Sequence, residues 1–193
     1  MGTRGLYGIR KNGKDKLTYN HFDSYPDWLG RKIVNFCMWT SIAGLNTLYD
    51  KIELVNKNSK PTVEQKITCE SMGLFDNSVG GGTRDDWYCL LRKQQGDLDK
   101  MKACIEATGK AYMIDSSSFI EDSLFCEYAY IINLDTNMLE FYTGFQTTPQ
   151  EGNRYGVQKT DDGYYPCRLT CEFPLSEIRN TDDVDRVIDK MEG

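Results

Sequence analysis

One arginine, the only histidine and one aspartate, Arg4, His21 and Asp23, can be brought together by a single hairpin near the start of this chain. A histidine between a guanidinium and a carboxylate is the arrangement a general base or a phosphate-binding site uses, with the acid orienting and charging the imidazole. The positioning element is legible. Asn12-Gly13 lies between two alternating runs, Thr3 to Arg10 and Asp15 to Phe22, and both residues accept positive φ, so a two-residue hairpin loop is expected. That loop puts Arg4 opposite His21, Thr3 opposite Phe22 and Gly2 opposite Asp23. The polar corner from Asn20 to Pro26 adds Asn20 and Tyr25 as candidate binding residues, with Pro26 fixing φ and holding Tyr25 extended as an aromatic rim. The competing reading is an ion-pair and hydrogen-bond network that closes the hairpin end.

Other motifs are weaker. Gly80-Gly81-Gly82-Thr83-Arg84 could cradle a phosphate through backbone N–H groups, with Arg84 adding charge. It lacks the Gly-Lys-Ser/Thr ending of a P-loop and no strand leads into it, so a connector is favoured. Asp85-Asp86 and Asp161-Asp162 are read as caps or solvated turns, because adjacent side chains rarely converge on a metal. With one histidine and no Cys-x-x-Cys pair, neither a metal nor a cofactor is expected. Tyr128, Tyr130, Tyr142, Tyr164 and Tyr165 have no basic surround and suit sheet packing better than RNA stacking.

Composition sets the class. At 193 residues the chain fits one domain, residues 1–193, with a sizeable core. No apolar run is long enough to cross a membrane and the N-terminus lacks the zones of a signal peptide, so no membrane association and a cytoplasmic location are expected. Seven cysteines at irregular spacing then read as reduced, mostly buried thiols. The net charge of −6 is unevenly spread: residues 1–60 carry ten Lys/Arg against five Asp/Glu, while residues 61–150 carry seven against fourteen. A basic N-terminal part could meet a phosphate, and the acidic remainder would repel nucleic acid.

Along the chain, the spacing of Leu29, Ile33 and Cys37, and of Val34, Met38 and Ile42, predicts helix, divided at Gly44. Thr62 and Gln65 form a capping box for a helix ending near Gly73. Further helices are expected at 86–94 and at 97–108, the latter closed by Gly109. Strands 127–134 and 138–143 form a second hairpin, Tyr164 to Phe173 a further strand interrupted by Pro166, and Thr181 opens a C-terminal helix. The order predicts an α+β fold with antiparallel sheet from two hairpins covered by helices. Apolar residues on both faces of the first hairpin (Tyr7, Ile9 and Phe22; Leu6, Leu17 and Tyr19) predict a sheet covered on both sides.

Two resemblances add to this reading. Thr3 to Gly8 with Tyr19-Asn20-His21-Phe22-Asp23-Ser24-Tyr25-Pro26-Asp27-Trp28-Leu29-Gly30, and later Tyr128 to Asp135 with Leu139 to Tyr142, resemble an uncharacterised group of small proteins found in phages, mobile elements, bacteria and fungi. More distantly, Asn20-His21-Phe22-Asp23 and the second hairpin are similar to parts of N-terminal-nucleophile hydrolases, which implies a four-layer αββα sandwich. The chemistry of those enzymes needs a nucleophile bearing a free α-amine. Removal of Met1 would expose Gly2, which has none, and reaching Thr3 would need a further cleavage.

The phage-like resemblance, the acidic bulk and the missing nucleophile together imply a counter-defence protein. Such a protein would bind a host protein or ribonucleoprotein, inhibiting a CRISPR nuclease or a nucleotide-signalling defence. The alternatives are an enzyme, either an N-terminal-nucleophile amide hydrolase or a His21-dependent phosphodiesterase, and a protein that sequesters a small nucleotide through Arg4, His21 and Arg84.

Overall fold

The first hairpin forms in the expected register. In the computed structural model, which describes residues 2–78 and 81–193, β1 (Gly5–Lys11) and β2 (Lys14–Asn20) pair from Gly5 opposite Asn20 to Lys11 opposite Lys14. Asn12 and Gly13 take φ of 52° and 71°, the left-handed values that this loop demands. Their backbone N–H groups donate to the Asp135 carboxylate at 2.6 and 2.9 Å, tying this turn to that of the second hairpin.

The second hairpin, Tyr128–Asn133 and Met138–Thr143, also forms, and the two hairpins meet through one parallel pair along Gly5–Arg10 and Tyr128–Asn133. The last strand, Arg168–Pro174, starts two residues after Pro166, as a residue without an N–H requires of a strand it precedes. Labelling the remaining strands in chain order, β3 is Ile52–Val55, β4 Ala111–Ile114, and β5, β6 and β7 are the three just described. The main sheet runs β2-β1-β5-β6-β7, and β3 and β4 make a separate two-stranded parallel sheet.

The helices are α1 (Arg31–Trp39), α2 (Ile42–Lys51), α3 (Val63–Ser71), α4 (Trp87–Leu90), α5 (Leu98–Thr108) and α6 (Thr181–Glu192). The Thr62–Gln65 capping box is present, and Gly109 closes α5 at φ 83°. Three expectations are corrected in detail. The break between α1 and α2 falls at Thr40–Ser41 instead of Gly44, because the Ser41 hydroxyl accepts the Gly44 N–H as an N-cap. The helix expected at 86–94 is one α turn followed by a 3₁₀ turn at Arg92–Gln94, and Asn180, not Thr181, caps α6.

Both sheet faces are covered, by different material. Tyr7, Ile9, Tyr130, Ile132 and Phe141 face α1, α2, α5 and α6 in the larger core. Leu6, Leu17, Ala129, Ile131 and Tyr142 face a 3₁₀ turn at Ser117–Glu121 and the irregular chain around Tyr155 and Cys167. The second large sheet of an αββα sandwich is not formed among the described residues. Turns and loop supply that layer. All seven cysteines are free thiols, and burial pushes Cys37 and Cys69 up to about 12, so both are inert packing residues.

Candidate functional site

The end of β2 divides the expected cluster. Asn20 is buried, and its amide donates to Ser24 Oγ at 2.8 Å and to the Phe22 carbonyl, so it holds the corner together. Asp23 takes φ 52°, which aspartate tolerates better than most residues, and its carboxylate accepts the exposed Tyr25 hydroxyl at 3.2 Å. His21 is engaged elsewhere. Its Nδ1 lies 2.7 Å from the Tyr19 hydroxyl, and its ring packs edge-on against Phe22. The structure thus brings Arg4 and His21 to one end of the sheet and turns Asp23 and Tyr25 away.

Electrostatics at His21 are set by burial and then by Arg92 and Arg4, all of which lower its pKa below the ordinary 6.5. The phenol of Tyr19 is pushed up by burial, so at neutral pH the pair is an uncharged hydrogen bond. A depressed histidine pKa means that the unfolded chain binds the proton more readily, so this contribution to stability is present above pH 6.5 and is lost as pH falls below it. As the only histidine, His21 gives a single resolvable signal: its NMR titration midpoint is expected below 6.5 and should rise in Arg92→Ala. A midpoint unmoved by that substitution would remove Arg92 from the account.

His21 and Tyr19 line a cleft of about 540 Å³ between β2, the 3₁₀ turn at Ser117–Glu121 and the segment from Tyr88 to Gln95. Leu91, Met101 and Ile114 give it an apolar floor, and Tyr88, Tyr19 and Phe119 give it aromatic walls. Two residues of its lining, Gln94 and Asp122, each have one oxygen, Oε1 and Oδ1, that is sealed from solvent without a hydrogen-bond donor. Gln94 is 2% exposed, and its Nε2 donates to the Tyr112 carbonyl at 2.7 Å, which fixes the orientation of the amide. The only other buried orphan among the described residues, Glu70 Oε1, faces the Arg84 guanidinium in an ion pair.

A smaller cleft of about 260 Å³ shares Gln95 with the first, and is lined by Arg92, Asn20, Asp23, Trp28 and Lys32. Arg84 lies apart from both, paired with Glu70 and placed 5.7 Å from the Phe75 ring centroid. Of the Gly80–Arg84 loop, Gly80 lies outside the described residues. A Cβ on Gly82 would come within 2.5 Å of Cys89 Sγ, so close packing onto α4 explains a glycine there. Asp85 pairs with Lys66 and Asp86 caps α4.

Residues that make the larger cleft, among them Gln94, Asp122, Tyr88 and Phe119, were not among the sequence candidates. Each is unremarkable in its own segment, and only the fold converges them. No protein-family model, curated protein or solved structure matches the chain.

Proposed function

We propose that the chain is a binding protein whose larger cleft captures a small, flat ligand. One observation carries this reading: a cleft of about 540 Å³ has an apolar floor of Leu91, Met101 and Ile114, aromatic walls of Tyr19, Tyr88 and Phe119, and the only histidine on its lining. The cleft also lies within the roughly 300–1,000 Å³ range of small-molecule sites. Beside the resemblance to phage and mobile-element proteins, this is a counter-defence protein that acts by withdrawing a host small molecule. A catalytic role for His21 has weaker support, because Asp23 is turned to Tyr25 and no carboxylate orients the ring.

Native mass spectrometry of protein purified from a bacterial host should reveal a retained mass that disappears in Tyr88→Ala, which removes an aromatic wall of the cleft. Protein that carries no ligand, and whose melting temperature no planar aromatic compound raises, would end this reading.

A second reading, inhibition of a host protein or ribonucleoprotein by direct contact, is favoured by Trp39, which is 79% exposed beside Ile42 at 41%. Trp39→Ala should then abolish a partner recovered in pull-downs. Unchanged recovery would take that face out of consideration.

A further inference from the structure

Resting on the binding role above, we propose that the flat ligand is an aromatic carboxylate, with its ring between the aromatic walls and its charge beside His21. A carboxylate conjugated to its ring is coplanar with it, so the whole ion suits a cleft with flat walls and an apolar floor. The donor that meets the charge is set by the Tyr19–His21 bond. That bond occupies Nδ1, and Nε2 has no partner among the described residues. With the phenol donating to Nδ1, the hydrogen of the neutral ring lies on Nε2, which then donates to a ligand oxygen.

The sign of the charge follows from the cations behind the walls at this end. Arg92 lies outside the larger cleft, its guanidinium 5.2 Å from the Tyr88 ring centroid and 5.4 Å from that of Phe22, and Phe22 is itself edge-on to His21 at 4.2 Å. Arg4 sits 4.5 Å from the Phe125 ring centroid. Neither guanidinium has a carboxylate within ion-pairing distance among the described residues. The acids near them are engaged: Glu127 accepts the Arg4 backbone N–H, Asp23 the Tyr25 hydroxyl and Asp76 the Ser78 N–H. On the lining itself Lys57 and Asp122 are opposite in charge, which leaves His21 as the lining group whose charge changes near neutrality. Both arginines oppose a proton on the ring of the empty cleft and favour an anion beside it. A bound carboxylate therefore draws a proton from solvent onto His21, and the Tyr19 hydroxyl turns from donating to Nδ1 to accepting from it. Because the complex then holds that proton more tightly than the free protein, affinity rises as pH falls between the two His21 midpoints and levels off below the lower one.

Calorimetric titration of the full chain with 2-naphthoate, its neutral amide 2-naphthamide and the cationic 2-naphthylmethylamine separates this claim from the binding role. At about pH 6 the carboxylate should bind about tenfold or more tightly than the amide, a margin that should shrink with salt and in Arg92→Gln. Its affinity should rise several-fold from about pH 8 to about pH 6, with the His21 NMR midpoint about one unit higher in the complex, a shift that caps the gain at about tenfold. In His21→Gln the pH dependence should vanish while the affinity for the amide holds. If the amide or the amine binds as tightly as the carboxylate, or if the carboxylate's affinity is flat with pH and the His21 midpoint unmoved, the assignment falls and the binding role stands. If none of the three binds, both fall.

Discussion

Glu140→Ala is expected to cost about 3 kcal/mol or more, because it strands a partly buried guanidinium. Glu140 is 2% exposed in the middle of β6, and every group around it is committed to it. Arg154 grips it with both terminal nitrogens, Nη1 at 2.8 Å, Asn133 Nδ2 donates at 2.7 Å, and the Tyr142 hydroxyl donates at 3.2 Å. The network extends through Tyr155 to Asp15 and Arg10, so it pins the irregular layer to both hairpins. At about 2–4 °C per kcal/mol for a chain of this size, the melting temperature should fall by roughly 6–12 °C. The double variant Glu140→Leu/Arg154→Leu should recover part of the loss, since an apolar pair leaves no charge stranded. A single variant that melts within a degree or so of the parent would mean that solvent already compensates Arg154.

Gly144→Ala should be at least as damaging. A Cβ there would lie 2.1 Å from the Cys126 carbonyl oxygen and 2.8 Å from that of Ser123, and both obstacles are backbone. Relief requires the chain after β6 to move, which breaks the Gly144 N–H bond to the Glu127 carbonyl and the Phe145 N–H bond to Ser123. With two backbone bonds and the packing behind them at stake, a loss above about 3 kcal/mol is expected, read as little soluble protein or a collapsed melting temperature. Normal expression and stability would show that this junction is pliable.

Local chemistry explains what could be read from the chain beforehand. Asn12-Gly13, the Thr62–Gln65 box and Gly109 each act through backbone conformations or hydrogen bonds within a few residues, and each forms where expected. β3 and β4 were not legible because each is four residues long and they pair with each other across more than fifty positions. The parallel join of the two hairpins and the loop-built layer over Leu6 and Leu17 are likewise long-range outcomes. The site followed the same division. Proximity of Arg4 and His21 came from hairpin register, whereas Asp23 was lost to a positive-φ turn and Gln94 and Asp122 met through tertiary packing.

The binding claim is tested most directly by NMR titration of the labelled chain with planar aromatic compounds such as 2-naphthoate and 2-naphthamide. The His21 ring and the Tyr19, Tyr88 and Phe119 signals should shift together and saturate, with the response lost in Tyr88→Ala. Absence of any shift, or shifts confined to the surface around Trp39, would contradict it.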